Sequence, residues 1–133
     1  GNERILLYRE LDSITNERDL AAFRSRMIDR FGKIPPEGEE LIRMVTLRRK
    51  AQEMGIEKIF LKGRRMKLFF VDESNKAFYQ SETMGRILLF VNNTQFPCAI
   101  NNDNQRMSIS VDNVKSVETA LAFISEMQHS CTN

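Results

Sequence analysis

Apolar residues recur at helical spacing in the first third of the chain, alternate in two later stretches, and return to helical spacing at the end. Residues 3–14 read as a short helix whose apolar positions are Ile5, Leu6, Leu7, Leu11 and Ile14. That much apolar surface predicts a packed helix. Thr15 is a candidate N-cap for a second helix, with Glu17 and Asp19 in the first turn, where the positive helix end favours them. Its apolar stripe is Leu20, Phe23, Met27, Ile28 and Phe31; its polar face carries Arg18, Arg24, Arg26, Asp29 and Arg30. Phe31 is assigned to the core, and Gly32 to the C-terminal cap. Pro35 and Pro36 stop this helix and open the next. The third helix runs to about Met54, with Leu41, Met44, Val45, Leu47, Ala51 and Met54 as its buried stripe, and Gly55 ends it.

The period then changes to two. Residues 56–61 and 66–71 are strand-like and joined by Lys62-Gly63-Arg64-Arg65, an antiparallel hairpin. Met66, Leu68 and Phe70 point one way; Lys67, Phe69 and Val71 point the other. Residues 74–92 read as helix with a break, and Ser81 or Thr83 caps the second segment. A second hairpin pairs 97–100 with 106–111 across Asn101-Asn102-Asp103-Asn104-Gln105. Asp112 or Asn113 opens the last helix, whose stripe is Val114, Val117, Leu121, Ile124 and Met127. The element order ααα-ββ-αα-ββ-α predicts an α+β fold, with antiparallel hairpins forming a small sheet covered by helices. How the two hairpins join is not written in the pattern.

Composition narrows the class. The 133 residues carry 20 Lys and Arg against 18 Asp and Glu, a net charge of +2, so charge alone does not argue for nucleic acid or an anionic membrane. The hydrophobic fraction of 41% is too high for a disordered chain. Residues 1–133 are expected to form a single domain. Cys98 and Cys131 make no disulfide framework and fit no zinc spacing, which favours a reducing, cytoplasmic setting. No apolar run reaches the roughly 18 residues that a membrane span needs, so no membrane partner is expected. The start Gly1-Asn2-Glu3-Arg4 is not a signal peptide; residues 1–2 read as a cloning remnant on a piece of a longer protein, and residues 130–133 as a frayed tail.

Recognisable catalytic chemistry is missing from the pattern. No phosphate loop is present, and Gly63 and Gly85 stand alone. His129 has no partner that would make a triad, and Glu37, Glu39 and Glu40 read as helix-dipole residues. The Asn101–Asn104 run lacks the central Gly and terminal Glu of a calcium loop. No catalytic, cofactor-binding or metal-binding residue is therefore assigned. Two basic clusters, Arg48-Arg49-Lys50 and Lys62, Arg64 and Arg65, are candidate phosphate contacts. No aromatic platform is patterned beside them, because Phe69 and Phe70 read as core.

One segment carries more. Met27-Ile28-Asp29-Arg30-Phe31-Gly32-Lys33-Ile34-Pro35 is followed by Leu47-Arg48-Arg49-Lys50-Ala51-Gln52-Glu53-Met54-Gly55-Ile56. A helix ending in I-D-R-F-G, an apolar residue and Pro, then a long helix with L-R-x-x-A-x-x-x-G-I, resembles the C-terminal domain of the bacterial transcription-repair coupling factors. Leu7-Tyr8-Arg9, and Asn16-Glu17 with Leu20, extend the match. The resemblance is specific from Arg4 to about Ile59 and rests mainly on element order beyond. It implies a domain without catalysis, set in an ATP-driven DNA translocase that displaces stalled RNA polymerase and recruits excision repair. It further implies an intramolecular partner, a UvrB-like N-terminal module whose UvrA-binding surface the domain masks, so that UvrA is an indirect partner. No cofactor is implied, the isolated piece is expected to be a monomer, and direct nucleic-acid contact is not expected. Asp29 and Arg30 are the expected interdomain contacts. The family pattern places an acidic residue three positions before the Asp; Arg26 stands there in this chain and is a lesser candidate. The alternative is an accessory nucleic-acid-binding module using Arg48, Arg49, Lys62, Arg64 and Arg65.

Overall fold

The computed structural model describes residues 2–104 and 106–132. Gly1, half of the pair read as a cloning remnant, lies outside the described residues, as does Asn133. The chain forms two compact units, Gly1–Thr46 and Leu47–Asn133, each with its own core; the sequence alone read as one domain.

The first unit contains α1 (Asn2–Asp12), α2 (Glu17–Phe31) and the opening half of α3 (Pro36–Glu53). Its core is Leu11, Leu20, Phe23, Ile42 and Val45, with Ile14, Met27, Ile34 and Leu41 against it. Asn16, not Thr15, caps α2: its backbone is extended and its side-chain oxygen accepts from the Asp19 N–H at 2.7 Å. Two ends of the apolar stripe lie outside the core. Ile28 is 46% exposed and Phe31 is 53% exposed, so neither anchors the helix as its spacing predicts. Phe31 is the last residue of α2, where no further turn covers it. On α3 Met44 is exposed, and Ile42, two residues or about 200° away around the helix, is buried instead. Among the described side chains of α1, Leu11 alone is fully buried; Ile5, Leu6 and Tyr8 are exposed.

The second unit continues with the end of α3, then β1 (Ile56–Lys62), β2 (Arg65–Phe70), α4 (Lys76–Tyr79), α5 (Glu82–Asn93), β3 (Cys98–Asp103), β4 (Arg106–Val111) and α6 (Val117–Cys131). The α+β class is as expected. The four strands make one antiparallel sheet in the order β1-β2-β4-β3, so the two hairpins meet through their second strands. Gly63 and Arg64, at φ 58° and 62°, form a two-residue turn of the primed kind whose twist suits a hairpin. Because that turn needs only two residues, β1 runs one residue further than its sequence pattern and β2 starts one residue earlier, ending at Phe70 and not at Val71.

Met66, Leu68, Phe70, Ile109 and Val111 face the core, where Leu47, Ala51 and Met54 of α3, Met84, Ile87 and Val91 of α5, and Ala120, Phe123, Ile124 and Met127 of α6 cover them. Phe123 is the aromatic centre, edge-on to Phe90 and Phe96. Phe70 is core as expected; Phe69 is not. It lies with Lys67 on the other face, because adjacent residues of a strand point to opposite sides.

Two boundaries shift for identifiable reasons. Asn101, Asn102 and Asp103 belong to β3, paired with Ser108, Met107 and Arg106, rather than to a loop. The last helix opens at Ser116, whose hydroxyl accepts from the Thr119 N–H at 3.1 Å, not at Asp112 or Asn113. The intervening backbone is held to the sheet: Asp112 N–H donates to Pro97 at 2.8 Å and Val114 N–H to Arg64 at 2.9 Å. α6 continues through Ser130 and Cys131, which the sequence reading placed in a frayed tail.

Candidate interaction surface

The C-terminal turn of α2 carries the residues singled out by their motif. Asp29 and Arg30 are both exposed, adjacent at the helix end. Asp29 makes no ion pair among the described residues, whereas Arg30 is engaged with Glu3 of α1 and lies over the Phe31 ring, 5.0 Å from its centroid. One turn earlier Arg26 pairs with Glu10 of α1. The two arginines thus tie α2 to α1, which sequence spacing within α2 had no means to show. Both pairs are more than half exposed on the arginine side, so each contributes at most about 1 kcal/mol and breaks readily.

A stronger pair sits on the opposite flank of the same unit. Arg24 grips Glu39 with both guanidinium nitrogens, at 2.5 and 2.7 Å. The hydrogen bonds from Arg24 hold the Glu39 carboxyl below the usual carboxylate range. Between α1, α2 and the start of α3 runs an open groove of about 1110 Å³. Leu7, Tyr8, Met27, Phe31 and Ile34 line it, with Glu3, Lys33 and Glu37 among its charged residues. The corner therefore combines uncovered apolar area with ion pairs that can exchange partners.

The basic residues divide between two elements. Arg48, Arg49 and Lys50 are on α3, and Lys50 donates to Gln128 at 3.1 Å. Lys62 and Arg65 are cross-strand neighbours at the β1–β2 turn, and Arg65 is bound to Asp112 at 2.9 Å. A shallow hollow of about 1310 Å³ beside α5 is lined by Leu89, Phe90 and Phe96 with Glu82 and Arg86, which pair with each other at 2.7 Å. Cys98 and Cys131 are free thiols, both pushed up in pKa by burial. Among the described residues no group of three His, Cys, Asp or Glu is placed to hold a metal ion, and no helix is long and apolar enough to cross a membrane.

These features define a class: an α+β module of helices and one open-faced antiparallel sheet, with a charged and apolar corner on its helical unit. A family model described as the TRCF domain matches residues 1–81, and the chain belongs to that family. The transcription-repair-coupling factor of Escherichia coli (strain K12) is 34% identical over 58 residues, 44% of this chain and 5% of that protein. A solved structure, the C-terminal domain of transcription-repair coupling factor, matches with a TM-score of 0.75 at 17% identity, covering 98% of this chain and 83% of that one. At that identity the likeness concerns the fold. The chain spans about 5% of the length of the curated relative.

Proposed function

We propose that this chain is the regulatory C-terminal module of a transcription-repair coupling factor, an ATP-dependent DNA translocase, and that it acts by contact rather than by catalysis. In this reading it masks the UvrA-binding surface of a UvrB-like module in the same protein and is released when the motor engages polymerase. The observation that carries the reading is the α2 corner, where Ile28 and Phe31 are left uncovered beside Asp29 and Arg30. An apolar patch framed by a charge pair suits a reversible interdomain contact: the area supplies affinity and the charges supply register. Arg30 is available because its hold on Glu3 is exposed and weak. Masking needs only about 3 to 5 kcal/mol of differential binding, which a modest contact can provide and a large apolar interface would exceed.

The test is made in the full parent protein. Asp29→Arg and Arg30→Glu, singly and together, are expected to leave the module folded by circular dichroism and to raise UvrA capture at least about tenfold, the effect of losing 1.4 kcal/mol of masking. Phe31→Ser is expected to act in the same direction. Unchanged UvrA capture in all of these variants would refute the assignment of this corner.

A further inference from the structure

The side of the sheet opposite its core face, which the end of α3, α5 and α6 cover, carries a pattern that the proposed masking role does not use. We propose that this open face binds single-stranded RNA, with bases stacking on Phe60 and Phe69 and phosphates held by Lys58, Lys62 and Lys67.

Strand register places these residues together. Phe60 of β1 is opposite Lys67 of β2, which is opposite Ser110 of β4; in the next row Lys58 is opposite Phe69, which is opposite Ser108 and then Asn101 of β3. Opposed residues share a face, so the two rings and the lysines alternate like squares of one board. Phe60 is 56% exposed, and its ring meets Phe69 edge-on at 5.8 Å. Lys67 Nζ stands 5.2 Å from the Phe69 centroid. Lys62 adds a third ammonium at the turn, opposite Arg65.

Charge decides between classes of occupant. The cores of protein interfaces are aromatic but depleted in lysine. Here lysines surround both rings, which matches a ligand that offers flat bases and negative charge together. The acids near the face are already engaged: Asp112 with Arg65, Glu57 with Arg106, and Asp103 at 4.0 Å from Lys67. Lys58 and Lys62 have no ion pair among the described residues. A duplex hides its base faces in the stack, so stacking rings select an unpaired strand.

The polar half of the face selects ribose. Asn101 Nδ2 donates to Ser110 Oγ at 2.6 Å, and among the described residues the Asn101 side-chain oxygen has no donor and the Ser110 hydroxyl no acceptor, so the pair can still accept and donate. A 2′-hydroxyl both donates and accepts, and deoxyribose offers neither.

The experiment uses the whole 133-residue chain and fluorescence anisotropy with labelled oligouridine, oligodeoxythymidine and duplex RNA, each of about eight nucleotides or pairs. Oligouridine is expected to bind at about 50 mM salt and to weaken steeply as salt rises. Phe69→Ala and Phe60→Ala should each cost about tenfold in affinity, while Phe69→Tyr retains it. Lys58→Glu with Lys62→Glu should weaken binding and flatten the salt dependence. Ring contacts across strands also stabilise sheets, so urea unfolding is measured alongside: a variant that unfolds more easily but binds normally assigns the rings a structural role and overturns the proposal. So does absence of oligouridine binding at low salt, or loss on charge reversal without loss on ring removal. Equal or tighter binding of oligodeoxythymidine overturns the choice of RNA. A dimer in sedimentation that Phe60→Ala dissociates would show the face to be a protein contact and overturn it as well.

Discussion

Replacing Gly55 by alanine isolates two costs at one atom. Gly55 joins α3 to β1 at φ 76°, and its carbonyl accepts from the Val71 N–H at 2.8 Å, so its backbone is fixed by both neighbours. A Cβ built there would lie 2.3, 2.5 and 2.8 Å from Cε1, Cζ and Cδ1 of Phe78. Phe78 cannot swing away freely, because it stacks on Phe70 at 5.8 Å and meets Tyr79 at 5.3 Å. The left-handed backbone costs an alanine about 1 to 2 kcal/mol relative to glycine. Displacing a packed ring adds about 1 to 3 kcal/mol. Gly55→Ala should therefore destabilise by about 2 to 5 kcal/mol, read in a urea titration as a lower midpoint with an unchanged slope. A double-mutant cycle separates the parts: in a Phe78→Ala background the same substitution should cost only the backbone share. A loss below about 0.5 kcal/mol for Gly55→Ala, or an equal loss in both backgrounds, would refute the reasoning from the ring contact.

Two further outcomes follow from ionisation. The lowered carboxyl of Glu39 means that its pair with Arg24 stabilises the fold above the ordinary value of 4.5 and that this contribution is lost as pH falls through the lower folded value. Glu39→Gln should thus reduce stability at neutral pH and make its decline in acid shallower, as thermal melts from pH 3 to pH 7 would record; an unaltered acid limb would contradict it. Burial raises both thiols, with Arg86 partly opposing this at Cys131. Each should react with a thiolate-selective reagent at pH 8 more slowly than free cysteine, and urea should restore the ordinary rate; fast labelling of the folded chain would count against the burial described for them.

Much of the architecture was legible because periodicity is a local property. The three leading helices, both hairpins and the break within 74–92 all follow from spacing, and of the two caps it offered, Ser81 and Thr83, Ser81 caps α5 by accepting from Met84 N–H at 3.2 Å. What spacing cannot show is which side of an element meets a neighbour. Ile28 and Phe31 complete a stripe in sequence, yet α2 ends before anything covers them. Phe69 alternates with Leu68 and Phe70 in a run apolar on both faces, and only the placement of the helices decides that Phe70 is inside and Phe69 outside. Asp29 and Arg30 stand exposed where the helical period puts them, but the engagement of Arg30 and Arg26 with α1 depends on tertiary placement. The last helix begins late because Val114 is tied to the hairpin turn, a partner fifty positions earlier by chain order (114 − 64).

The strand order leaves β1 and β3 as the two borders of the sheet. A bare border invites another chain to add a strand and grow a fibre. β1 is broken by a register shift between Ile56 and Lys58 and bears lysines at 58 and 62, while β3 ends in Asn101, Asn102 and Asp103. Bent or polar rims of this kind offer a poor template for extension, so the hairpins can stay paired at the concentrations at which a flat apolar rim would seed aggregation.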